Sequence, residues 1–196
     1  MRVGRKVVAR LSSDAVNRLG LREGSAWDAA AQRMAREVES YEGALREARK
    51  MLKRRPLGTA ELRRKLYEKG YGSSGAVEAA VREMERRGML DDAAYAKLVV
   101  EHELMRRPAG RRKLAQKLMR KRLPRHVIGK AVSAAMSKRD ETADARSLVE
   151  WKIGLPSFAR LEPAARKRRL WGMLARRGFD HETIERALVG LVENDE

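Results

Sequence analysis

The stretch ELRRKLYEKGY, residues 61–71, decides the fold, because two later stretches of the chain repeat its pattern. KLAQKLMRKRL at 113–123 and RLWGMLARRGF at 169–179 each place two leucines four positions apart, and a large apolar residue follows five positions later. Residues four apart lie on the same face of an α-helix. The pattern therefore predicts three equivalent helices whose buried faces carry the pairs Leu62/Leu66, Leu114/Leu118 and Leu170/Leu174.

Each leucine pair has a second apolar run at helical spacing after it and a third before it. The runs that follow are Val77/Val81/Met84, Ile128/Val132/Met136 and Ile184/Leu188/Leu191. The runs that precede are Leu45/Met51/Leu52, Tyr95/Leu98/Val99 and Ala145/Leu148/Val149. Proline and glycine, among them Gly110, fall between the units, where the chain must turn. Gly70 and Gly178 come just before the last apolar residue of their patterns, where the end of a helix favours a residue that tolerates a positive φ. We therefore predict an all-α fold of tandem three-helix repeats, similar to helix-turn-helix units, that forms an elongated and curved molecule.

This periodicity divides the chain into an N-terminal extension at 1–40 and three-helix repeats at 41–90, 91–139 and 140–196. In the extension, RKVVARL (5–11) has the residue character of a strand, and SSDAVNRLG (12–20) is typical of a capped helical turn that ends at Gly20. Residues 25–52 fit either one long helix or two helices that meet near Gly43. We expect KIGLPSFARLEP (152–163) to be an extended connection.

Composition excludes several classes of site. The 196 residues contain no cysteine, which rules out disulfides, thiolate metal ligands and cysteine nucleophiles. No apolar run approaches the ~20 residues that cross a membrane, and the N-terminal apolar stretch is too short for a signal peptide. His102, His126 and His181 lack metal-ligand spacing, and no phosphate-binding loop or nucleophile–base pattern is present. We expect a soluble, cytoplasmic, non-enzymatic protein without metal or cofactor.

Positive charge is concentrated in the predicted second repeat. The whole chain has a formal charge of +18, and residues 91–139 contain 14 basic and 4 acidic side chains. From Arg106 to Arg125, ten of twenty residues are basic and none is acidic. An excess of this kind favours a polyanionic partner or an acidic protein surface, although a merely solvated helix face is the alternative. The candidate residues for binding DNA or a protein–DNA filament are Arg106, Arg107, Arg111, Arg112, Lys113, Lys117, Arg120, Lys121, Arg122 and Arg125.

Within this set, Lys113, Lys117, Arg120 and Lys121 would form one stripe on a helix over residues 109–121. Single-stranded nucleic acids are often bound by stacking on aromatic rings. Trp151 and Trp171 adjoin the leucine faces of their helices, so we expect both in the core rather than as stacking platforms. Binding to DNA should then rest on backbone contacts, with weak sequence specificity and strong salt dependence.

Asp91 and Asp92 could hold a metal ion, exchange a proton or begin a helix. They follow Gly88, which is placed to end one helix, and they precede the apolar run of the next. A carboxylate at a helix start accepts hydrogen bonds from free N–H groups and meets the positive end of the helix dipole. No convergent ligands or bases are evident nearby. We interpret the pair as structural.

The same joint resembles a motif of the RecX family, the regulators of the RecA recombinase. In RRGMLDDAAYA (86–96), the matching residues are Gly88, Leu90, Asp91, Asp92, Tyr95 and Ala96. RRPLGTAELRRKL (54–66) is similar to the opening of the family's first repeat through Arg55, Glu61, Leu62 and Leu66, with Thr59 where serine is commoner. LARRGFDHETIERAL (174–188) is similar to the ending of the third repeat through Arg177, Gly178, Phe179 and Ile184. The resemblance covers residues ~44–190 and departs at KRLP, where Arg122 and Pro124 replace the usual Lys-Gly turn.

The resemblance implies a regulator that binds the RecA–DNA filament, most readily as an inhibitor, in DNA repair, homologous recombination and the SOS response. Its partners would be the recombinase filament and single- or double-stranded DNA, with no membrane partner. The alternative function is a free-standing DNA-binding protein, because two of three short helices can imitate a helix-turn-helix. An enzyme is the third hypothesis, and no motif supports it.

Overall fold

The structure, a computed structural model, describes residues 2–3, 6–71 and 75–190. These residues contain two short strands, β1 (Arg2–Val3) and β2 (Lys6–Val7), and eleven helices. The helices are α1 (Ser13–Arg18), α2 (Ala29–Arg54), α3 (Thr59–Glu68), α4 (Ala76–Arg86), α5 (Asp92–Arg106), α6 (Arg111–Arg120), α7 (Arg125–Met136), α8 (Glu141–Ile153), α9 (Pro156–Ala159), α10 (Pro163–Arg176) and α11 (His181–Leu188).

The predicted all-α fold of tandem three-helix units is confirmed. Each leucine pair lies on the middle helix of a unit and is at most 1% exposed. The first core is shared by α2, α3 and α4, the second by α5, α6 and α7, and the third by α8, α10 and α11 with α9. The apolar runs on α4 and α7 are buried as predicted, and so are Ile184 and Leu188 of α11, whereas Leu191 lies outside the described residues.

The turn after each middle helix has the same backbone conformation. Gly70 and Gly178 have φ angles of +86° and +85°, in the left-handed region that glycine adopts without steric cost. Both were predicted as helix stops. Arg122 occupies the equivalent position of the second unit and also has a positive φ, +57°. The second unit therefore has arginine in place of glycine at this turn but keeps the left-handed backbone conformation.

Of the two alternatives for residues 25–52, the single helix is correct. α2 runs unbroken from Ala29 to Arg54, and the Asp28 carboxylate caps its start. The predicted boundary between the N-terminal extension and the first repeat, at residues 40 and 41, lies inside this helix. Gly43 does not break this helix, because the ring of Tyr71 packs against it. A Cβ atom at Gly43 would come 2.7 Å from Cε1 of Tyr71.

Two of the apolar runs that precede the leucine pairs are not fully buried. The buried face of α2 is formed by the small residues Ala35, Ala44 and Ala48, while Leu45, Met51 and Leu52 are only partly buried. Alanine projects only a methyl group, so α4 can approach the α2 backbone closely, and the larger side chains cover the edges of the core. On α5, Tyr95 and Val99 are buried as predicted, but Leu98 is 49% exposed because it projects away from α6 and α7.

The connection at 152–163 is not extended. It contains the single-turn helix α9, and Phe158 of that turn is buried in the third core. At the other end of the chain, the strand character of residues 5–11 gives only the short antiparallel pairing of β2 with β1. The predicted capped turn is confirmed, since the Ser12 hydroxyl accepts a hydrogen bond from the Ala15 N–H at the start of α1.

The chain forms two compact units, Met1–Asp91 and Asp92–Glu196. The first unit holds α1 to α4. The second holds α5 to α11 and therefore two of the three hydrophobic cores. In the described parts of the chain, no helix is long and apolar enough to cross a membrane.

Candidate functional site

All ten candidate cationic residues lie on or beside α6, in the second unit. Arg106 ends α5, and Arg107 follows it. Five of the ten are on α6, Lys121 and Arg122 form the turn after it, and Arg125 is the first residue of α7. The helix is held in place by Leu114 and Leu118, which are buried against α5 and α7. The structure therefore brings the ten residues into one region, but it gives them different environments.

Two of the three lysines of the predicted stripe, Lys113 and Lys117, are engaged with Glu103 of α5. The Lys117 ammonium donates a hydrogen bond to one carboxylate oxygen of Glu103, and the Lys113 Nζ lies 3.8 Å from the other. Both lysines are about one-third exposed, and Glu103 is largely buried. The hydrogen bond from Lys117, with the positive charge of Lys113, holds the pKa of Glu103 below its usual range. These lysines therefore bind α6 to α5 and are not available as an open stripe.

Two arginines contact the third three-helix group. The Arg111 Nε lies 2.6 Å from Oε1 of Glu141, at the start of α8. The Arg107 guanidinium lies over the indole of Trp151, near the end of α8, with its central carbon 4.9 Å from the ring centroid. The segment between α5 and α6 therefore runs along α8, in the opposite direction to that helix.

The remaining arginines are exposed. Across residues 6–71 and 75–190, no acidic side chain forms an ion pair with Arg106, Arg120, Arg122 or Arg125, and we call these four the unpaired arginines. Arg112 is also exposed, but its charge contributes to the lowered pKa of Asp180, which results mainly from the backbone hydrogen bond that Thr183 donates to this carboxylate. Lys121 is half-buried in the turn after α6.

A groove of about 970 Å³ lies between α5 and α7. Its walls include Val100, Leu104 and Ala131, and its rim includes Lys130 and Lys138. None of the ten candidate residues lines it. The candidate residues thus form a basic surface outside this groove, and two of them, Lys117 and Lys121, line a smaller groove of about 430 Å³ beside α5.

Asp91 and Asp92 lie where a helix start was predicted. Asp91 immediately precedes α5, and Asp92 is its first residue, so both carboxylates are near the positive end of the helix dipole. Gly88 has a φ of +65° and follows the end of α4, as predicted. The described residues contain no group of three or more His, Asp or Glu side chains that could hold a metal ion.

A close contact between backbones joins the second and third groups, and the sequence did not reveal it. The Gly110 N–H donates to the carbonyl of Arg177 at 3.0 Å, and the Arg112 N–H donates to the carbonyl of Gly178 at 3.2 Å. A Cβ atom on Gly110 would overlap the backbone of Gly178, and one on Gly178 would overlap the backbone of Lys113. From sequence, each glycine was only a local helix breaker. Their pairing is a contact over more than sixty residues.

The tryptophan prediction is wrong at Trp151. This residue is 50% exposed instead of buried, because it lies beyond the face of α8 that carries Leu148 and Val149 into the core. Trp171 is partly buried against the third core, as expected, and its ring contacts His181 edge-on at a centroid distance of 4.7 Å. One exposed aromatic ring therefore lies beside the basic surface.

Comparison with known proteins identifies the family. A model of the second three-helix domain of RecX matches residues 91–132, and a model of the third matches residues 140–188. A regulatory protein RecX from Pelodictyon phaeoclathratiforme is 35% identical over 150 residues, which cover 76% of this chain and 89% of that protein. The chain belongs to the RecX family.

A second relative agrees with this assignment, and a solved structure agrees with the fold. A regulatory protein RecX from Chlorobaculum tepidum is 36% identical over 154 residues, covering 78% of this chain and 90% of that protein. A crystal structure of a regulatory protein RecX superposes with a TM-score of 0.76 at 16% identity and covers 89% of this chain and 84% of its own. The basic segment Arg106–Arg125 falls wholly within the match to the second RecX domain.

Proposed function

We propose that this RecX-family chain binds the filament that the RecA recombinase forms on DNA and inhibits recombinase activity in repair and recombination. The chain acts by binding, in the cytoplasm, without chemistry of its own. Support comes from the relatives named regulatory protein RecX, which are 35% and 36% identical over most of their length. Because the chain carries three three-helix groups, several weak contacts with one filament can combine into a high affinity.

The observation that carries this proposal is the set of unpaired arginines. The tertiary structure neutralises Lys113, Lys117 and Arg111 with acidic partners and leaves Arg106, Arg120, Arg122 and Arg125 exposed. A guanidinium presents several N–H donors in a plane and binds phosphate or carboxylate oxygens in pairs. We assign to these four residues the contacts with DNA phosphates or with an acidic surface of the filament. Arg112 and Lys121 lie at the edge of this set.

The test neutralises only residues whose loss leaves the fold intact. In one variant, Arg106, Arg120 and Arg125 are each changed to glutamine. The control variant removes the same charge from exposed residues of α10, with Lys167, Arg168 and Arg169 changed to glutamine. Co-sedimentation with RecA–DNA filaments and inhibition of strand exchange are measured at ~0.15 M salt.

We expect the first variant to bind the filament roughly three- to a hundredfold more weakly, at 0.2–1 kcal/mol for each exposed charge pair. The control variant should lose much less affinity for the filament. Equal losses in both variants would indicate attraction by net charge alone, and unchanged inhibition in the first variant would refute the assignment.

The competing function, a free-standing DNA-binding protein, is tested in the same system. It predicts protection of naked duplex DNA at a defined sequence and no dependence on the recombinase. The filament proposal instead predicts that protection, if any, is uniform along the duplex and that binding rises when recombinase coats the strand.

A further inference from the structure

Trp151 is a large apolar side chain that lies outside the core, and packing does not explain its environment. It lies in the last turn of α8, and half of its surface is exposed. Two cations lie close to the indole: the Arg107 guanidinium, 4.9 Å from the ring centroid, and the Lys152 ammonium, 5.9 Å from it. The ring therefore combines an apolar surface open to water with two adjacent positive charges.

The contact of Arg107 with Trp151 is one of two contacts that hold the segment before α6 against α8. Arg107 belongs to the segment before α6, and this segment is tied to α8 again by the ion pair of Arg111 with Glu141. That ion pair uses the charge of Arg111, but it leaves Arg107 and Lys152 without a carboxylate partner among the described residues. Their positive charge beside the ring is available to a ligand.

We propose that Trp151 is a stacking site for an unpaired base of single-stranded DNA, and that Arg107 and Lys152 contact the phosphates on either side of that base. Unpaired bases stack on exposed aromatic side chains, and nearby cations follow the backbone. A duplex offers the same phosphates but keeps its bases stacked inside the helix. An exposed indole with cations beside it therefore selects the single strand. This proposal rests on the proposed function, since both require DNA at the second unit.

The first experiment compares two ligands that differ only in their bases. The full chain and the Trp151→Leu variant are titrated with a twelve-nucleotide oligothymidylate and with an abasic deoxyribose-phosphate strand of the same length. Loss of one stacked base should weaken binding of the oligothymidylate roughly five- to a hundredfold and leave binding of the abasic strand unchanged. Met119→Ala is the matched control, because Met119 is an apolar side chain on α6 that is 52% exposed. It should change neither affinity.

Salt dependence separates stacking from charge. Because the indole is neutral, Trp151→Leu should leave the slope of log affinity against log salt unchanged. Arg107→Gln should make this slope shallower by about 0.7, the value for one phosphate contact on a single strand.

The second experiment observes the ring directly. In a chain with Trp27→Phe and Trp171→Phe, Trp151 is the remaining tryptophan. Oligothymidylate should quench its emission, and the abasic strand should not. A chain that keeps only Trp171 should show little quenching with either strand, because this ring is partly buried beside His181.

Equal affinity of the parent and Trp151→Leu for oligothymidylate, or equal quenching by both strands, would overturn the stacking site. Should Trp151→Leu melt at a lower temperature than the parent, Trp151→Phe replaces it and must retain an affinity between those of the parent and the abasic complex. If these oligothymidylate results contradict the stacking site while the parent chain still co-sediments with RecA–DNA filaments, only the stacking site is refuted. Loss of filament binding in the parent chain would refute the proposed function.

Discussion

Arg122 shows how a single residue can occupy a conformation that its type disfavours. Its φ of +57° is positive, like the +86° of Gly70 and the +85° of Gly178, and in residues 6–71 and 75–190 no other non-glycine residue has a positive φ. The left-handed conformation costs an L-residue roughly 1–2 kcal/mol, because Cβ comes close to the following carbonyl oxygen. The turn after α6 therefore forms despite this residue, driven by burial of Leu118 and Leu123 on either side of it.

We predict that Arg122→Gly stabilises the protein by about 0.5–1 kcal/mol. The gain is smaller than the strain removed, because glycine also loses more conformational freedom on folding. Urea-induced unfolding followed by circular dichroism measures the change. Arg122→Ala is the control: it removes the charge but keeps Cβ, and it should not stabilise. A similar gain in both variants would show that charge repulsion, and not backbone strain, limits this turn.

Among the helices, the contact of α5 with α6 depends on Glu103. Its carboxylate is largely buried and accepts a hydrogen bond from Lys117, which lowers its pKa. In the unfolded chain the pKa returns to about 4.3. The pair therefore contributes its full stability above that value, and the contribution is lost as the pH falls toward the lower pKa of the folded protein.

We predict that the free energy of unfolding falls as the pH is lowered from about 5, and that Glu103→Gln removes part of this dependence. Asp180, Glu47 and Glu83 also have lowered pKa values, with that of Glu83 at about 2, so the dependence should be reduced and not abolished. Chemical denaturation at a series of pH values measures it. A Glu103→Gln variant that follows the parent at every pH would contradict the assigned role.

The same pair determines which charge changes are informative. Lys117→Glu places two carboxylates against each other and should destabilise the protein by about 1–3 kcal/mol, less than for a fully buried pair because the Lys117 side chain is partly exposed. The double variant with Glu103→Lys should recover much of this loss. Thermal unfolding measures both. If the double variant were no more stable than the single one, the helix contact would not depend on this pair.

At the scale of the whole molecule, the second unit contains two cores that meet at Gly110 and Gly178. Both glycines allow an approach of two backbones that a methyl group would prevent. The division of the chain at residues 41, 91 and 140 stays a prediction. The joint nevertheless ties the α5–α7 group to the α8–α11 group through hydrogen bonds, an ion pair and the Arg107–Trp151 contact.

We predict that Gly178→Ala destabilises the protein by more than about 2 kcal/mol, because it adds overlap with the Lys113 backbone to the cost of a positive φ. Calorimetry should then show the second and third cores unfolding separately. Gly70→Ala is the matched control. Its φ is the same, but no atom lies within 4 Å of the added Cβ, so it should cost only about 1–2 kcal/mol. Equal losses of stability in the two variants would show that the close contact between Gly178 and Lys113 does not contribute to the stability of the protein.

Much of the fold could be predicted from the sequence. The three leucine pairs, the apolar runs after them, the helix stops at Gly70, Gly88 and Gly178 and the family membership all followed from patterns within short segments. Such patterns can be recognised in the sequence because an α-helix buries residues that are three and four positions apart, and because only a few residue types, glycine above all, favour the end of a helix. The basic segment was also located, but only as a count of charges.

Only the tertiary structure decided which charges are exposed and what they contact. It placed Glu103 against Lys113 and Lys117, Glu141 against Arg111, and Trp151 beneath Arg107 instead of in the core. It also brought Gly110 against Gly178. These contacts depend on how separate helices pack, and periodicity along one helix does not contain that information. The physical reason is that burial follows local spacing, whereas pairing between distant side chains follows from the arrangement of the helices in space.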